Sequence, residues 1–152
     1  LYIIIMFEWL MGNTKPKSNK ISFEDIQWIL DRDDSKYLLI STLSKNDQKC
    51  LIQKTIPIEK EVEVINSFLK NKGINILIYG RNTNDASIYT KYSQLLQLGF
   101  SNVYIYLGGL FEWLCLQDIY GKTNFPTIGE ELDILKYRPP PEINKNYYIA
   151  DK

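Results

Sequence analysis

Histidine is absent from the 152-residue chain, and only two cysteines, Cys50 and Cys115, are present. Without histidine, Ser-His-Asp catalysis, Cys-His catalysis and histidine-dependent metal sites are excluded. The two cysteines form no Cys-x-x-Cys pair, so the usual zinc spacings are missing as well. We therefore expect no metal and no other cofactor. Two reduced thiols indicate an intracellular, reducing compartment. We expect the protein in the cytoplasm or as part of a large assembly.

An excess of charge of either sign is also missing, because 18 basic residues balance 18 acidic ones. Nucleic-acid binding depends on clustered Lys and Arg, so no nucleic-acid partner is expected. The apolar content of 45% is that of a globular protein, and the length fits one domain.

The first residues, LYIIIMFEWLM at 1–11, are apolar apart from Glu8. This run is too short to cross a bilayer, which needs about 20 residues. Three interpretations remain: an amphipathic segment that docks on a protein, sequence upstream of the true start, or an interfacial membrane anchor. A start at Met11 would make Gly12 a candidate for myristoylation, although Pro16 stands where the pattern requires Ser or Thr. Membrane contact is expected only if Gly12 is lipidated. We assign residues 1–20 to an apolar arm and a basic linker.

From residue 21 the hydrophobic pattern alternates between helix and strand spacing. It predicts helices over 23–31, 59–72, 86–99 and 110–121, with Gly73, Gly99 and Gly121 as helix ends. It predicts strands or extended segments over 36–43, 49–58, 74–80 and 102–109. Strands that alternate with helices require right-handed crossovers, so we predict an α/β fold whose central, mainly parallel sheet has helices on both faces.

The C-terminal residues 128–152 contain three consecutive prolines, Pro139 to Pro141, and end in NKNYYIADK. The prolines predict an extended spacer. We expect this tail to lie outside the main domain. Together with the N-terminal arm, it is the expected contact region for protein partners, since tyrosine is common at interfaces.

Residues 98–113, LGFSNVYIYLGGLFEW, resemble the rhodanese superfamily in their Gly-Phe, Val-Tyr, Gly-Gly and Trp landmarks. The order of the elements agrees with that resemblance over residues 21–127. It implies a three-layer rhodanese-like domain, in which Gly108 and Gly109 allow a sharp turn from strand to helix and Trp113 is a core aromatic residue.

In that family, a six-residue loop begins with a cysteine and stabilises a persulfide or an oxyanion through its backbone amides and the next helix N-terminus. The corresponding segment here is LIYGRNTNDAS, residues 77–87. The resemblance places Gly80 at the cysteine position, which implies a member of the family that lacks the active-site cysteine. The vestigial loop consists of Gly80, Arg81, Asn82, Thr83, Asn84 and Asp85, with Ala86 opening the helix.

Two further departures from the family pattern concern the surroundings of the loop. Asp85 ends the loop with a carboxylate, which would occupy the helix N-terminus in place of a substrate anion. The Asp-x-Arg pair that the family often carries after its first long strand corresponds to Ser41 and Leu43. The histidine of the family's Gly-His-Ile segment is replaced as well, since that segment aligns with Cys50, Leu51 and Ile52.

The resemblance therefore implies a catalytically inactive module that acts as a protein-binding, structural or assembly component. The alternative is a sulfurtransferase with a relocated thiol such as Cys50, whereas Cys115 is expected to be a core residue. Thr83 is a poor nucleophile, because no histidine supplies a base and a helix N-terminus lowers the pKa of Asp85. A weak anion site stays open, with donors from Arg81, Asn82, Asn84 and Ala86.

Overall fold

The computed structural model describes residues 19–32 and 34–145. The apolar arm, Gly12 and the paired tyrosines near the C-terminus lie outside these residues, so the expectations about them stay expectations. Among the described residues, no helix combines the length and the apolar character needed to cross a membrane.

The described chain contains four α-helices, two 3₁₀ helices and seven strands. The α-helices are α1 (Phe23–Leu30), α2 (Ile58–Ser67), α3 (Ser87–Gln97) and α4 (Gly109–Tyr120). The strands are β1 (Lys20–Ile21), β2 (Tyr37–Ser41), β3 (Leu51–Ile52), β4 (Thr55–Ile56), β5 (Asn75–Tyr79), β6 (Val103–Tyr106) and β7 (Thr127–Ile128). The 3₁₀ helices span Lys45–Asp47 and Ile134–Tyr137.

Five strands form a wholly parallel sheet in the order β1-β6-β5-β2-β4. A separate two-stranded antiparallel sheet pairs β3 with β7. The α/β class and the parallel central sheet predicted from the sequence are confirmed. The chain leaves β2 toward one edge of the sheet and leaves β5 toward the other, so the strand order reverses between these two strands. Ligands of open α/β sheets usually bind outside the carboxyl ends of the strands at such a reversal.

Alternate residues of the central strands enter two separate cores, one on each face of the sheet. Leu39, Leu77 and Tyr79 pack with Ile26 of α1 and Trp113 of α4. The neighbouring strand residues pack on the opposite face against α2 and α3, in a cluster that contains Ile40, Ile65, Ile76, Ile78, Leu95 and Phe100. This period of two gives helix, sheet and helix layers.

Two predicted elements differ from the structure, and strand β1 was missed. The extended segment predicted over 49–58 is two short strands in different sheets, because Lys54 takes a left-handed φ of 64° between them. Helix α2 ends at Ser67 rather than at Gly73, and its last apolar residues continue in turns. Strand β1 was not predicted, because two residues show no hydrophobic period and the strand depends on pairing with β6.

The C-terminal region also differs from the expectation of a tail outside the domain. Residues 127–138 pack onto the domain through β7 and through Tyr137, which is fully buried in the α1 and α4 core. We call residues 131–138 the C-terminal strap. The residues beyond the strap are exposed from Pro140 to Lys145. The packed region therefore ends near Arg138, about ten residues later than the sequence predicts.

Candidate functional site

The loop from Gly80 to Ala86 joins β5 to α3 at the carboxyl edge of the sheet. It lies where the strand order reverses, next to the residues that follow β2. The hydroxyl oxygen of Ser87, the first residue of α3, lies at hydrogen-bond distance from Thr42 Oγ1, at 2.8 Å. The loop therefore occupies the position at which a doubly wound sheet binds ligands.

The carboxylate of Asp85 folds back onto the loop that contains it. Its Oδ2 accepts the Arg81 amide at 2.8 Å, and its Oδ1 accepts the Ser87 amide at 3.0 Å and the Ser87 hydroxyl at 2.6 Å. Backbone amides of a loop and a helix N-terminus are the groups that bind a small anion in sites of this type. Here they bind a carboxylate from the same chain.

Gly80 has no side chain at the point where the Asp85 carboxylate lies. A β-carbon at position 80 would lie 2.8 Å from Asp85 Cγ and closer still to Oδ2. Real β-carbons do not approach other atoms this closely, so any larger residue at position 80 requires the Asp85 carboxylate to move. Gly80 and Asp85 thus form a sterically matched pair.

The N-terminus of α4 fixes the loop from the opposite side. The Leu110 amide donates to Gly80 O and the Phe111 amide donates to Arg81 O, both at 2.9 Å. Gly109 has a φ of 65°, and a β-carbon there would lie 2.7 Å from Gly80 O and 2.8 Å from the Asn82 nitrogen. The turn predicted for Gly109 is therefore a close contact between two backbones, which tolerates no side chain.

Arg81 and Asn82, two of the predicted anion donors, point toward the C-terminal strap. Arg81 Nη1 lies 2.6 Å from Asp47 Oδ2, and Nη2 donates to Lys136 O at 2.5 Å. Asn82 is buried, and its Nδ2 donates to Tyr137 O at 2.8 Å. Their donors are used within the chain.

The remaining loop residues do not contact the strap in this way and lie at the surface. Thr83, Asn84 and Ala86 are exposed, and the Asn84 amide donates to Asn82 Oδ1 at 2.9 Å in an Asx turn. The structure thus does not bring the four predicted anion-binding residues together around one empty site. Two of them bind the strap and two face solvent.

The end of β2, where the resemblance implies an ion pair, carries uncharged contacts. Ser41 and Leu43 are buried, and Ser41 Oγ accepts the Leu43 amide at 3.0 Å. The Thr42 amide donates to Tyr79 O at 2.9 Å. These bonds attach the residues after β2 to β5 without any charged group.

The two thiols lie away from the features of an activated cysteine. Cys50 is fully buried in the α1 and α4 core, and burial raises the pKa of its thiol. Cys115 is partly buried in α4, where burial and then the charges of Asp118 and Glu112 raise its pKa. Both sulfurs therefore favour the protonated, unreactive form.

Asp47, Lys136 and Tyr137 contact the loop residues but were not predicted as site residues. Burial alone would raise the pKa of Asp47. A hydrogen bond from Ser44 and the charges of Arg81 and Lys136 outweigh this effect, so the pKa is lowered. The Ser-x-x-Asp spacing at 44–47 does indicate a helix start, and Ser44 Oγ donates to Asp47 Oδ2 at 3.0 Å. No sequence pattern indicates that Asp47 pairs with Arg81, which is 34 positions away.

A groove of about 410 Å³ opens beside the loop, between α2 and α3. Glu61 and Lys91 pair across it, and Thr42, Ser87 and Thr90 supply hydroxyl groups. The ion pair leaves the groove without a net charge from these two side chains. In the described ranges, no cluster of three or more potential metal ligands is present.

These features define an α/β protein with a strand-loop-helix turn where its strand order reverses, and with an internal carboxylate bound by the amides of that turn. The rhodanese-like domain profile matches residues 19–115, about two thirds of the chain. The chain therefore belongs to the rhodanese-like domain family. No curated protein matches it.

Solved structures support the same fold. A full-length protein from Lactobacillus plantarum superposes with a TM-score of 0.57 at 16% identity, covering 85% of this chain and 97% of its own. The BH2092 protein from Bacillus halodurans gives 0.57 at 18% identity, covering 80% and 85%. The rhodanese-like domain of the Anabaena protein Alr3790 gives 0.51 at 20% identity, covering 89% and 93%. At these identities the similarity concerns the fold alone.

Proposed function

We propose that this chain is a rhodanese-like module without sulfur-transfer activity, which serves as a protein-binding component of an assembly. The observation that carries the proposal is the Asp85 carboxylate, which accepts the Arg81 and Ser87 amides directly against Gly80. An anionic substrate would compete with a carboxylate of the same charge that is already covalently attached to the loop.

The positions of the two thiols support the same proposal. Sulfur transfer needs a thiolate that a donor can reach, and thiolate formation is favoured by nearby cations or helix N-termini. Cys50 is completely buried, and burial raises its pKa. The alternative function, sulfur transfer by Cys50, would require the core around β3 to open.

The protein-binding part of the proposal depends on the arm, on the residues beyond the strap and on exposed apolar side chains. Ile119, Tyr120 and Leu132 keep 70%, 60% and 86% of their surface exposed. Leu132 lines a cavity together with residues of the C-terminal half of α4. Ile119 and Tyr120 are consecutive, and exposed apolar side chains of this size are available for contact with another protein.

A thiosulfate:cyanide sulfurtransferase assay tests the absence of catalysis. In this reaction the outer sulfur of thiosulfate is transferred to cyanide, which gives sulfite and thiocyanate. We expect no thiocyanate above the uncatalysed rate from the wild-type chain. Turnover that disappears in Cys50→Ser but persists in the matched Cys115→Ser variant would overturn the proposal in favour of the relocated thiol.

Native mass measurement of the protein taken from its source tests the assembly. We expect a mass larger than that of the 17.8 kDa chain, with a second protein in fixed stoichiometry. A free monomer at all concentrations in the source extract would contradict a role as an assembly component.

A further inference from the structure

The C-terminal strap contacts the loop region in the way that a peptide ligand contacts a receptor. Two consecutive strap carbonyls, those of Lys136 and Tyr137, accept hydrogen bonds from Arg81 and Asn82 at 2.5 and 2.8 Å. Side chains on one segment thus bind the backbone of another segment 55 positions away. Backbone hydrogen bonds of this kind hold a peptide in place and leave specificity to its side chains.

Side-chain recognition is present as well. The Tyr137 ring is fully buried in the core cluster that contains Cys50, Leu51, Trp113 and Leu114. The Lys136 ammonium lies 3.5 Å from Asp47 Oδ1, and the Arg81 guanidinium carbon lies 5.3 Å from the centre of the Tyr137 ring. The receiving surface therefore combines a pocket for an aromatic ring with a carboxylate for a neighbouring cation.

We propose that Asp47, Arg81, Asn82 and the Tyr137 pocket form a binding surface for a partner segment that carries a basic residue followed by an aromatic residue. In the isolated chain, the strap occupies this surface as an internal ligand. The inference depends on the proposed protein-binding function, and it specifies the chemistry of the partner segment.

The way in which the strap is attached allows a partner segment to replace it on this surface. Its charged contacts lie near the surface, since the Lys136 and Arg81 side chains are each about one third exposed, at 33% and 35%, whereas the hydrogen bond from Asn82 to Tyr137 O is buried. The strap follows β7 through Gly129, which has a φ of 74°. Covalent attachment gives the strap a high effective concentration, so an external segment binds in quantity only when the strap is weakened or when the segment makes additional contacts.

The test uses a fluorescein-labelled peptide with the sequence of residues 131–141, ELDILKYRPPP, and the full-length chain with Tyr137→Ala. Fluorescence anisotropy should show saturable binding, at least about 10-fold tighter to Tyr137→Ala than to the wild-type chain. A peptide in which alanine replaces its tyrosine should bind about 10-fold more weakly or worse, since buried aromatic residues dominate such interfaces.

Two further variants keep the test decisive if Tyr137→Ala does not fold. Lys136→Gln weakens only the strap and leaves Asp47, Arg81 and the core intact, so it should bind the peptide more tightly than the wild-type chain does. The matched control is Leu135→Ala, which changes a partly exposed residue of the same strap and should bind as weakly as the wild type.

Equal peptide binding to all folded variants, or no binding to Lys136→Gln and a folded Tyr137→Ala, would overturn the proposal. Binding of inorganic sulfate but not of the peptide to these variants would also overturn it, because the surface would then be an anion site. Sulfurtransferase activity of the wild-type chain would overturn the proposed function instead. The peptide measurement does not depend on that activity, so the two failures are distinguishable.

Discussion

At the scale of single residues, the loop site depends on two glycines that leave no room for a β-carbon. They differ in the atoms that a β-carbon would meet. Gly80 faces a side chain, the Asp85 carboxylate, whereas Gly109 faces the backbone of Gly80 and Asn82. A side chain can rotate away at the cost of its hydrogen bonds, but a backbone in a tight turn cannot. The two glycines therefore differ in how much a substitution costs.

Gly80→Ala should lower the free energy of unfolding by about 1–3 kcal/mol, because displacing Asp85 leaves the Arg81 and Ser87 amides without their acceptor. Urea unfolding measures this change. The matched control is Gly73→Ala, whose β-carbon would meet only Asn71 Oδ1 at 3.6 Å, and which should change stability by less than about 0.5 kcal/mol. In an Asp85→Gly background, Gly80→Ala should cost clearly less, and equal costs in both backgrounds would contradict the steric pairing.

Gly109→Ala should be more damaging, with a loss of about 3 kcal/mol or more, because it combines a positive φ with backbone contacts of 2.7 to 2.9 Å. Gly121→Ala separates the two effects. Gly121 also has a positive φ, of 88°, but nothing lies within 4 Å of its β-carbon position, so only the conformational cost of about 1–3 kcal/mol remains. Similar losses in the two variants, measured by thermal unfolding, would show that the contact between α4 and the loop contributes little.

At the scale of secondary-structure elements, the strap and the first 3₁₀ helix are joined by charges. Asp47 lies 2.6 Å from Arg81 Nη1 and 3.5 Å from Lys136, and Lys136 lies 3.5 Å from Glu131. The pKa of Asp47 is lowered despite partial burial, and the pKa of Glu131 is lowered by the Asp133 amide and the charge of Lys136. The docking of the strap should therefore depend on pH in the acid range.

A lowered carboxyl pKa stabilises the folded state above the unfolded-state pKa of about 4, and this contribution is lost as pH falls through the folded value. At pH 7, Asp47→Asn should lower the free energy of unfolding by about 1 kcal/mol, since Arg81 is partly exposed and its charge is screened. The difference between the variant and the wild type should shrink as the pH is lowered from 7 toward 3, because Asp47 becomes protonated once the pH falls through its lowered folded-state pKa. The control Glu59→Gln, whose Lys45 contact is 3.7 Å and exposed, should match the wild type at both pH values. A difference between Asp47→Asn and the wild type that does not change with pH would contradict the assigned charge contacts.

The longer elements could be predicted because their residues carry the signal themselves. Helices α3 and α4 end just before glycines with a positive φ, Gly99 and Gly121. The central strands coincide with apolar runs of the sequence. The short strands β1 and β7 and the strap could not be predicted, since each is stabilised by contacts with distant residues. In the loop, the Asp85 carboxylate was expected at the helix N-terminus, and it accepts the Arg81 and Ser87 amides there. The assignment of Gly80 to the family's cysteine position stays a prediction. The contacts of Arg81 and Asn82 with the strap were not predictable, because nothing in the residues around 136 indicates where their carbonyls lie.

At the scale of the whole molecule, the packed domain extends to the strap and contains the loop within it. The loop is held by α4 on one side and by the strap on another, and the strap adds a fully buried tyrosine to the core. Residues 140–145 are exposed. The boundary between domain and tail is therefore expected after Arg138.

Truncation of the chain tests this boundary. A chain that ends after Pro141 keeps the strap, and its free energy of unfolding should equal that of the full chain within about 0.5 kcal/mol. A chain that ends after Ile128 loses Tyr137 along with the acceptors of Arg81 and Asn82. Removal of a buried aromatic side chain alone costs about 3–5 kcal/mol, which is a large part of the 5–15 kcal/mol that stabilises a typical domain. Urea unfolding should therefore show the shorter chain partly or wholly unfolded. If both truncated chains unfolded at the same urea concentration, the strap would not belong to the folded domain, and residues 21–127 would be sufficient.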